Sequence, residues 1–434
     1  QVIWSRSPFE NDTKVSTRTY YDGNGNVVRT ENDNGEPGTS NQIKVVKNIY
    51  NADNTLQKTI SVDANNSQET AYEYYKNGLI KKLIVAPNSD NPEITSYEYN
   101  ILNQLVKTTD PMGYVSTVNP DRAGNIISAT DKNGTTLNYT YNALGSVLSV
   151  NASNGGTQET VSYNYDSLGN VISMNDSTGT TNYSYDSMSR LINESKGGVV
   201  KEYTYTADGN VETFKVKSNE TTLQNAEYEY DNLNRLTTVQ DKVNNAMKTS
   251  YTYNVNGQLA SEIRGNNKVS ASYTYNKAGL LTEVIDGNIS YEYDHYADGN
   301  IKTIKENGAP KALYSYDGLG RLSSEVVQGG MTVYSYDEYG NRNNLTHTGA
   351  ETYVVNYTYD MNNRLLSESK TQGMDTNAVN YTYDKNGNQL KKVKSVYAPN
   401  SEEKSSVEIM FPEAENSYYE SYEYNLFDKL TKTI

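Results

Sequence analysis

The 434-residue sequence predicts an all-β protein, a continuous antiparallel array of β-hairpin repeats that curls into a spiral. Three observations predict it. A Tyr-x-Tyr-Asp-x-x-Gly unit recurs 18 times, mostly 20 to 25 residues apart, which marks a stacked repeat array rather than the roughly three domains that such a length would otherwise imply. Within each unit the tyrosines alternate with polar residues at period two, the periodicity of a strand with one distinct face. Finally, there are 41 Tyr against one Trp and four Phe, and 30 of the tyrosines lie in fifteen Tyr-x-Tyr pairs. Without Tyr the apolar content falls to about a quarter of the chain, too little for an ordinary packed core. The Tyr rings are therefore expected to supply much of the buried area, with their hydroxyls turned to water or backbone.

Residues 158–194 show the unit most clearly, in two copies centred on Tyr163/Tyr165 and Tyr183/Tyr185. Asp166-Ser167-Leu168-Gly169 ends the first strand as a type I turn, with Asp accepting from backbone N–H groups and Gly at the position needing φ > 0. Such a turn leads into a bulge. Asn170–Met174 returns, and Asp176-Ser177-Thr178-Gly179 turns the chain into the next Tyr-x-Tyr strand. Each repeat is two strands and two turns, so the 18 copies predict about 36 strands, curved by native twist and by a bulge at every Asp-x-x-Gly.

Along the chain, residues 1–18 match no repeat and are read as an N-terminal cap for the first strand edge. Residues 19–434 form the array, with loop insertions at 31–42, 86–93 and 391–420. Asp110-Pro111-Met112-Gly113 is a type I turn with Pro at its second position, and Asp131-Lys132-Asn133-Gly134 is its counterpart one repeat later. One copy carries Pro120 where the second Tyr belongs, and an interruption of pairing is expected there. Another, Tyr293-Asp294-His295-Tyr296-Ala297-Asp298-Gly299, reads as having two extra residues. At the Gly position eleven copies have Gly and others have Asn54, Asn103, Asn234, Asn363, Asp428 or Ser189. Most of these types tolerate left-handed backbone, so a steric requirement explains the set. Two residues later an aliphatic side chain stands in 16 of the 18 copies, on the expected Tyr face. The chain stops a few residues into a return strand, and its C-terminus reads as truncated.

A net charge of −15 with no dense run of Lys or Arg argues against nucleic acid as a partner. No apolar run approaches the ~20 residues of a membrane-spanning helix. The absence of Cys excludes disulfides, thiolate metal sites and Cys nucleophiles. His295 and His347, 52 residues apart, read as solvated residues near turns rather than as ligands or catalysts. Carboxylates recur because the turn needs them ten times over, and such a residue does not define one active site. Asp286-Gly287-Asn288 lacks the order and the distal Glu of a calcium loop. No catalytic, cofactor-binding or metal-binding residue is therefore assigned, and no cofactor is expected. Rows of Tyr could also stack on sugar rings, which keeps a carbohydrate-binding surface as the alternative to packing.

These units resemble the YD or RHS repeats of bacterial secreted and surface proteins and of the animal teneurins, over residues 19–434. The resemblance implies a sheet that spirals into a hollow shell. It also implies a secreted or cell-surface protein whose shell is non-enzymatic and encloses or displays a toxin or effector at the C-terminal end of the same polypeptide. The wall-associated members make cell-surface glycans the alternative partner. The core that closes such shells, with its DPxGL motif and self-cleaving aspartate, has no match after residue 384, and Asp110-Pro111-Met112-Gly113 lacks the following Leu. No catalytic residue of the family is carried over.

Overall fold

The computed structural model describes residues 2–8, 14–33, 43–62, 67–243, 247–265, 268–296, 298–327, 329–397 and 418–433. They form 37 strands, numbered in chain order from β1 (Val2–Pro8) to β37 (Leu430–Thr433), each paired antiparallel with its chain neighbours. There is no helix among them, hence none long and apolar enough to cross a membrane. The extra strand beyond the expected 36 is β1, paired along its length with β2 (Lys14–Tyr21).

The sheet is a single layer. Among the described residues only Ala86, Ala152, Ala226, Ala271, Ala312 and Val355 are buried apolar residues, and no large side chain is fully buried. The paired tyrosines are half-buried, so the rings shield one face without forming a core. With hydrophobic burial this thin, the polar groups of the backbone and turns carry an unusual share of the specificity.

The hairpin of β14 (Thr157–Tyr165) and β15 (Val171–Asp176) shows how. Tyr165 pairs with Val171 across a register shift, which places the Tyr and the aliphatic residue on one face, as their spacing predicts. The same shift occurs in all 18 hairpins. In the turn, Asp166 Oδ1 accepts from the N–H groups of Leu168 and Asn170, both at 2.9 Å, and Oδ2 accepts from Asn170 Nδ2 at 2.9 Å. The Asn170 bonds hold the Asp166 carboxyl below its ordinary pKa. Gly169 has φ 87°, and Asn54, Asn103, Ser189, Asn234, Asn363 and Asp428 all lie between 55° and 66° at the same position. Several of these substitutes also lace neighbouring turns together. Asn54 Oδ1 accepts from Asn24 and Asn26, Asn103 Oδ1 from Asn77, and Asn234 Oδ1 from Asn210.

Between hairpins the backbone ladder is incomplete. From β13 (Val147–Asn154) to β14 it runs only from Asn154↔Thr157 to Ser149↔Ser162, leaving Tyr163–Tyr165 without backbone partners on that side. The phenol bridges the opening, since Tyr165 Oη donates to the carbonyl of Val147 at 2.6 Å. Among the described residues the second Tyr donates in this way to the start of the preceding return strand in at least twelve hairpins, at 2.6–3.1 Å. In four of them an Arg at the turn's fifth position pairs with its own turn Asp and covers the next repeat's ring: Arg190 on Tyr205, Arg235 on Tyr253, Arg321 on Tyr336 and Arg364 on Tyr383.

The structure corrects several expectations. Pro120 does not interrupt its hairpin, because it pairs with Ile126 at the register shift common to every copy, where the ladder is already irregular. The copy around Tyr293 has no insertion; His295 takes the second-Tyr place opposite Ile301, and Tyr296 opens the turn. Of the predicted loops, Glu31–Asp33 belong to β3 (Val27–Asp33), Glu93 begins β8 (Glu93–Tyr99), and residues 391–397 and 418–420 lie in β35 (Gln389–Tyr397) and β36 (Tyr418–Tyr424). The remainders at 34–42 and 398–417 lie outside the described residues.

Replacing Tyr165, Tyr185 or Tyr205 by Phe keeps the ring and removes the bridging donor. Each change is expected to cost about 0.5–1.5 kcal/mol. A urea titration with unchanged slope and a lowered midpoint checks this; a triple variant with the wild-type midpoint would refute the bridging role.

Candidate functional site at the seam of the spiral

The strip of hairpins has two rims: the Asp-Gly rim, made by turns that follow the Tyr-x-Tyr strands, and the opposite rim, made by the alternate turns. The strip winds until its Asp-Gly rim meets its own opposite rim. The turn at Asp384-Lys385-Asn386-Gly387 meets the turn at Asp131-Lys132-Asn133-Gly134, 23 strands earlier in the chain, through Asn386 Nδ2 to Asp131 Oδ2 at 2.8 Å and Asn133 Nδ2 to Asp384 Oδ2 at 2.9 Å. Next along, Asn362 Nδ2 donates to Asp110 Oδ2 and Asn363 Nδ2 to Glu93 Oε2, both at 2.9 Å. Tyr339 Oη donates to the Asn91 carbonyl at 2.6 Å and lies 2.7 Å from Ser89 Oγ. Lys44 Nζ reaches the Leu319 carbonyl at 3.2 Å. With strands ~4.8 Å apart, a coil of this size is roughly 110 Å around and roughly 35 Å across between backbones.

Two carboxylates at the seam are buried and behave oppositely. Glu93, 6% exposed, borders a cleft of about 280 Å³ that also takes in Asp337, Tyr339, Tyr359 and Asp360. Burial raises its pKa, the bond from Asn363 opposes the rise, and Asp337 and Asp360 add to it. Asp110, 7% exposed, also loses hydration, but bonds from Lys132 Nζ at 2.7 Å, Asn362 and the Tyr114 N–H outweigh that and hold its carboxyl below the ordinary range. Glu93 therefore weakens the fold at neutral pH and Asp110 strengthens it.

The residues weighed in the sequence lie elsewhere. His295 and His347 are half-buried strand residues rather than solvated ones, and His295 lies near a turn as expected, directly before the one that Tyr296 opens. His347 Nδ1 lies 3.0 Å from Thr332 Oγ1, and its ring stacks on Tyr353 with centroids 4.8 Å apart. At Asp166 both carboxylate oxygens are engaged within the turn itself, and the same holds at Asp22, Asp121, Asp231 and Asp360. Among the described residues no group of three His, Asp or Glu is arranged to hold a metal ion. The tyrosines offered as sugar platforms are half-buried, bridged through their hydroxyls and in places covered by Arg. The seam itself was missed because its partners are about 250 residues apart. Tyr339, at the third turn position where Leu and Asn recur, was the local hint.

The sequence profile of the Teneurin YD-shell family matches residues 160–298. Over 280 residues, 63% of this chain, the sequence is 30% identical to the tRNA nuclease WapA of Bacillus subtilis (strain 168), of which the match covers 10%. The fold is similar to that in the crystal structure of TcdB2-TccC3-Cdc42, with a TM-score of 0.59 and 15% identity over 98% of this chain and 25% of that one. It is also similar to TcdB2-TccC3, with a TM-score of 0.52 and 14% identity over 99% of this chain and 30% of that one. The chain thus spans about a tenth of the curated relative and less than a third of the solved chains. The chain is built of YD/RHS-type repeats, matched by the YD-shell profile over residues 160–298, on a fold similar to that of the two solved chains.

Glu93→Gln keeps an acceptor for Asn363 and removes the buried charge beside Asp337 and Asp360. Because the folded-state pKa is raised, wild-type stability falls as pH rises through it, and the variant is expected to melt higher at pH 7. Its advantage should vanish near pH ~3, below the ordinary Glu range, where the carboxyl is protonated in both states. Thermal melts across that range check the sign. A double-mutant cycle on Asp110→Ala and Asn362→Ala should return a coupling of about 0.5–1.5 kcal/mol, whereas additive losses would mean that the seam bond contributes nothing.

Proposed function

We propose that residues 1–434 are a non-catalytic wall segment of a shell that encloses or displays a toxin or effector carried toward the C-terminal end of the same exported bacterial polypeptide. The observation that carries this reading is the seam: a one-layer sheet whose rims are chemically matched to close on themselves forms a wall around an interior rather than a packed core. The recurrent Asp, Gly and second Tyr are each accounted for by a turn or bridging role rather than by chemistry. The relatives' names point the same way, since a long tRNA nuclease contains a stretch like this chain, and the solved likenesses include TccC3. A nuclease activity would on this reading reside outside the repeats. The net charge of −15 favours a basic cargo.

The adhesion alternative, with cell-surface glycans bound on Tyr rows, has less support because those rings are engaged within the sheet. The decisive comparison is between residues 1–434 alone and the same segment with the downstream coding region. The segment alone is expected to show no tRNA cleavage, no self-cleavage, no toxicity and no retention on a glycan array. The longer protein is expected to yield a protease-resistant fragment beyond residue 434. Catalysis by the segment alone would overturn the wall reading, and specific glycan retention would favour adhesion.

A further inference from the structure

Two of the contacts that close the seam are made by one tetrapeptide meeting its own copy. Asp131-Lys132-Asn133-Gly134 and Asp384-Lys385-Asn386-Gly387 are identical, and the Asn of each donates to the Asp of the other. Each of these asparagines is followed by Gly. That is the pairing in which asparagine is least durable, because no side chain hinders the next backbone nitrogen from attacking the amide carbon. The sequence has eight Asn-Gly pairs, and among the described residues Asn133 and Asn386 are the two that bridge one coil to the next.

In the closed seam both amides are held. Asn133 Nδ2 donates to Asp384 Oδ2 at 2.9 Å while its Oδ1 accepts from the Lys385 N–H at 3.0 Å. Asn386 Nδ2 donates to Asp131 Oδ2 at 2.8 Å and lies 3.1–3.2 Å from the oxygens of Asp428. Deamidation requires the side chain to turn until its Cγ meets the following glycine's nitrogen, so these bonds must break first. That nitrogen then bonds to Cγ and gives up its proton, ammonia leaves, and water reopens the resulting succinimide to aspartate or isoaspartate. Either product puts a carboxylate where a donor stood, against Asp384 at one turn and against Asp131 and Asp428 at the other, and like charges at such spacing repel. The lysines of the two turns are committed elsewhere: Lys132 Nζ binds Asp110 at 2.7 Å, and Lys385 Nζ lies over the Tyr114 ring.

We propose that Asn133 and Asn386 are a pair of self-modifying sites guarded by the seam: a closed coil preserves both amides, and a coil that opens loses them to deamidation, after which these two turns do not close again. Opening of the seam is thereby made one-way by the chain's own chemistry. This goes beyond the wall reading and holds whatever the coil surrounds.

Peptide mapping by mass spectrometry can follow each site in the 434-residue chain kept in mildly alkaline buffer, native and unfolded in urea. Asn133 and Asn386 are expected to deamidate at least ~10-fold more slowly in the native chain than in the unfolded one, because reaction waits for local opening. Asn256, which is exposed on a turn outside the seam, should be protected far less. Asn133→Asp/Asn386→Asp installs the aspartate product directly and should lower the melting midpoint and enlarge the radius of gyration measured by X-ray scattering. Asn256→Asp/Asn307→Asp should do neither, since at Asn307 a carboxylate accepts from the Ser290 N–H as well as the amide does. Adding Asp131→Asn and Asp384→Asn to the first variant returns a donor opposite each new carboxylate and should restore both readouts; Asn already serves as the first residue of turns of this form at Asn142 and Asn276. Seam sites protected no more than Asn256, a product variant indistinguishable from wild type, or a fourfold variant no better than the double would overturn the proposal.

Discussion

The structure depends on one hydrogen bond repeated along the strip, from the second tyrosine's hydroxyl to the backbone carbonyl one hairpin back. It sits where the ladder between hairpins stops. At Tyr165 and Val147 the carbonyl would otherwise face water or nothing, and a buried or half-buried carbonyl without a donor is costly. A phenol is long enough to cross that opening and apolar enough to shield the sheet on the way. Phe lacks the donor, and shorter hydroxyl residues lack the reach. That accounts for Tyr rather than Phe at the twelve bridging positions better than packing alone does.

An interrupted ladder also allows curvature. Each hairpin is rigid within itself, held by a turn in which the carboxylate of Asp or the amide of Asn organises backbone N–H groups, as at Asp166 and Asn276. Successive hairpins are joined by backbone bonds near the opposite rim and by side-chain bridges near the Asp-Gly rim. A side-chain bridge tolerates a change of angle that a continuous ladder does not, and the register shift in every hairpin adds local twist. The strip therefore bends in one sense and comes back upon itself.

Where it does so, the chemistry is polar and mutual. Asn386 gives to Asp131 while Asn133 gives to Asp384, and Lys132 supports Asp110, which accepts from Asn362. Exposed polar contacts are individually weak, but Asp110 and Glu93 are buried at the seam, where the difference between a paired and a crowded carboxylate matters most. The cleft beside Glu93 belongs to this closure. Its carboxylates have no metal-like arrangement, and the chain's likeness to the tRNA nuclease WapA and to TcdB2-TccC3 covers the repeat and the fold only.

The amino-acid sequence by itself determined the repeat unit, the strand count to within one, the face shared by Tyr and the aliphatic residue, and the left-handed turn position. All of these follow from spacings of a few residues, as Tyr165, Gly169 and Val171 show. It misjudged Pro120 and the frame at His295 because a bulge position tolerates what a regular ladder does not. Only the tertiary structure decided the hydroxyl bridges, the seam and the burial of Glu93 and Asp110. Their partners lie one hairpin or one whole coil away, and the number of strands in a coil is set by small angles accumulated over more than twenty strands. No local pattern encodes that sum.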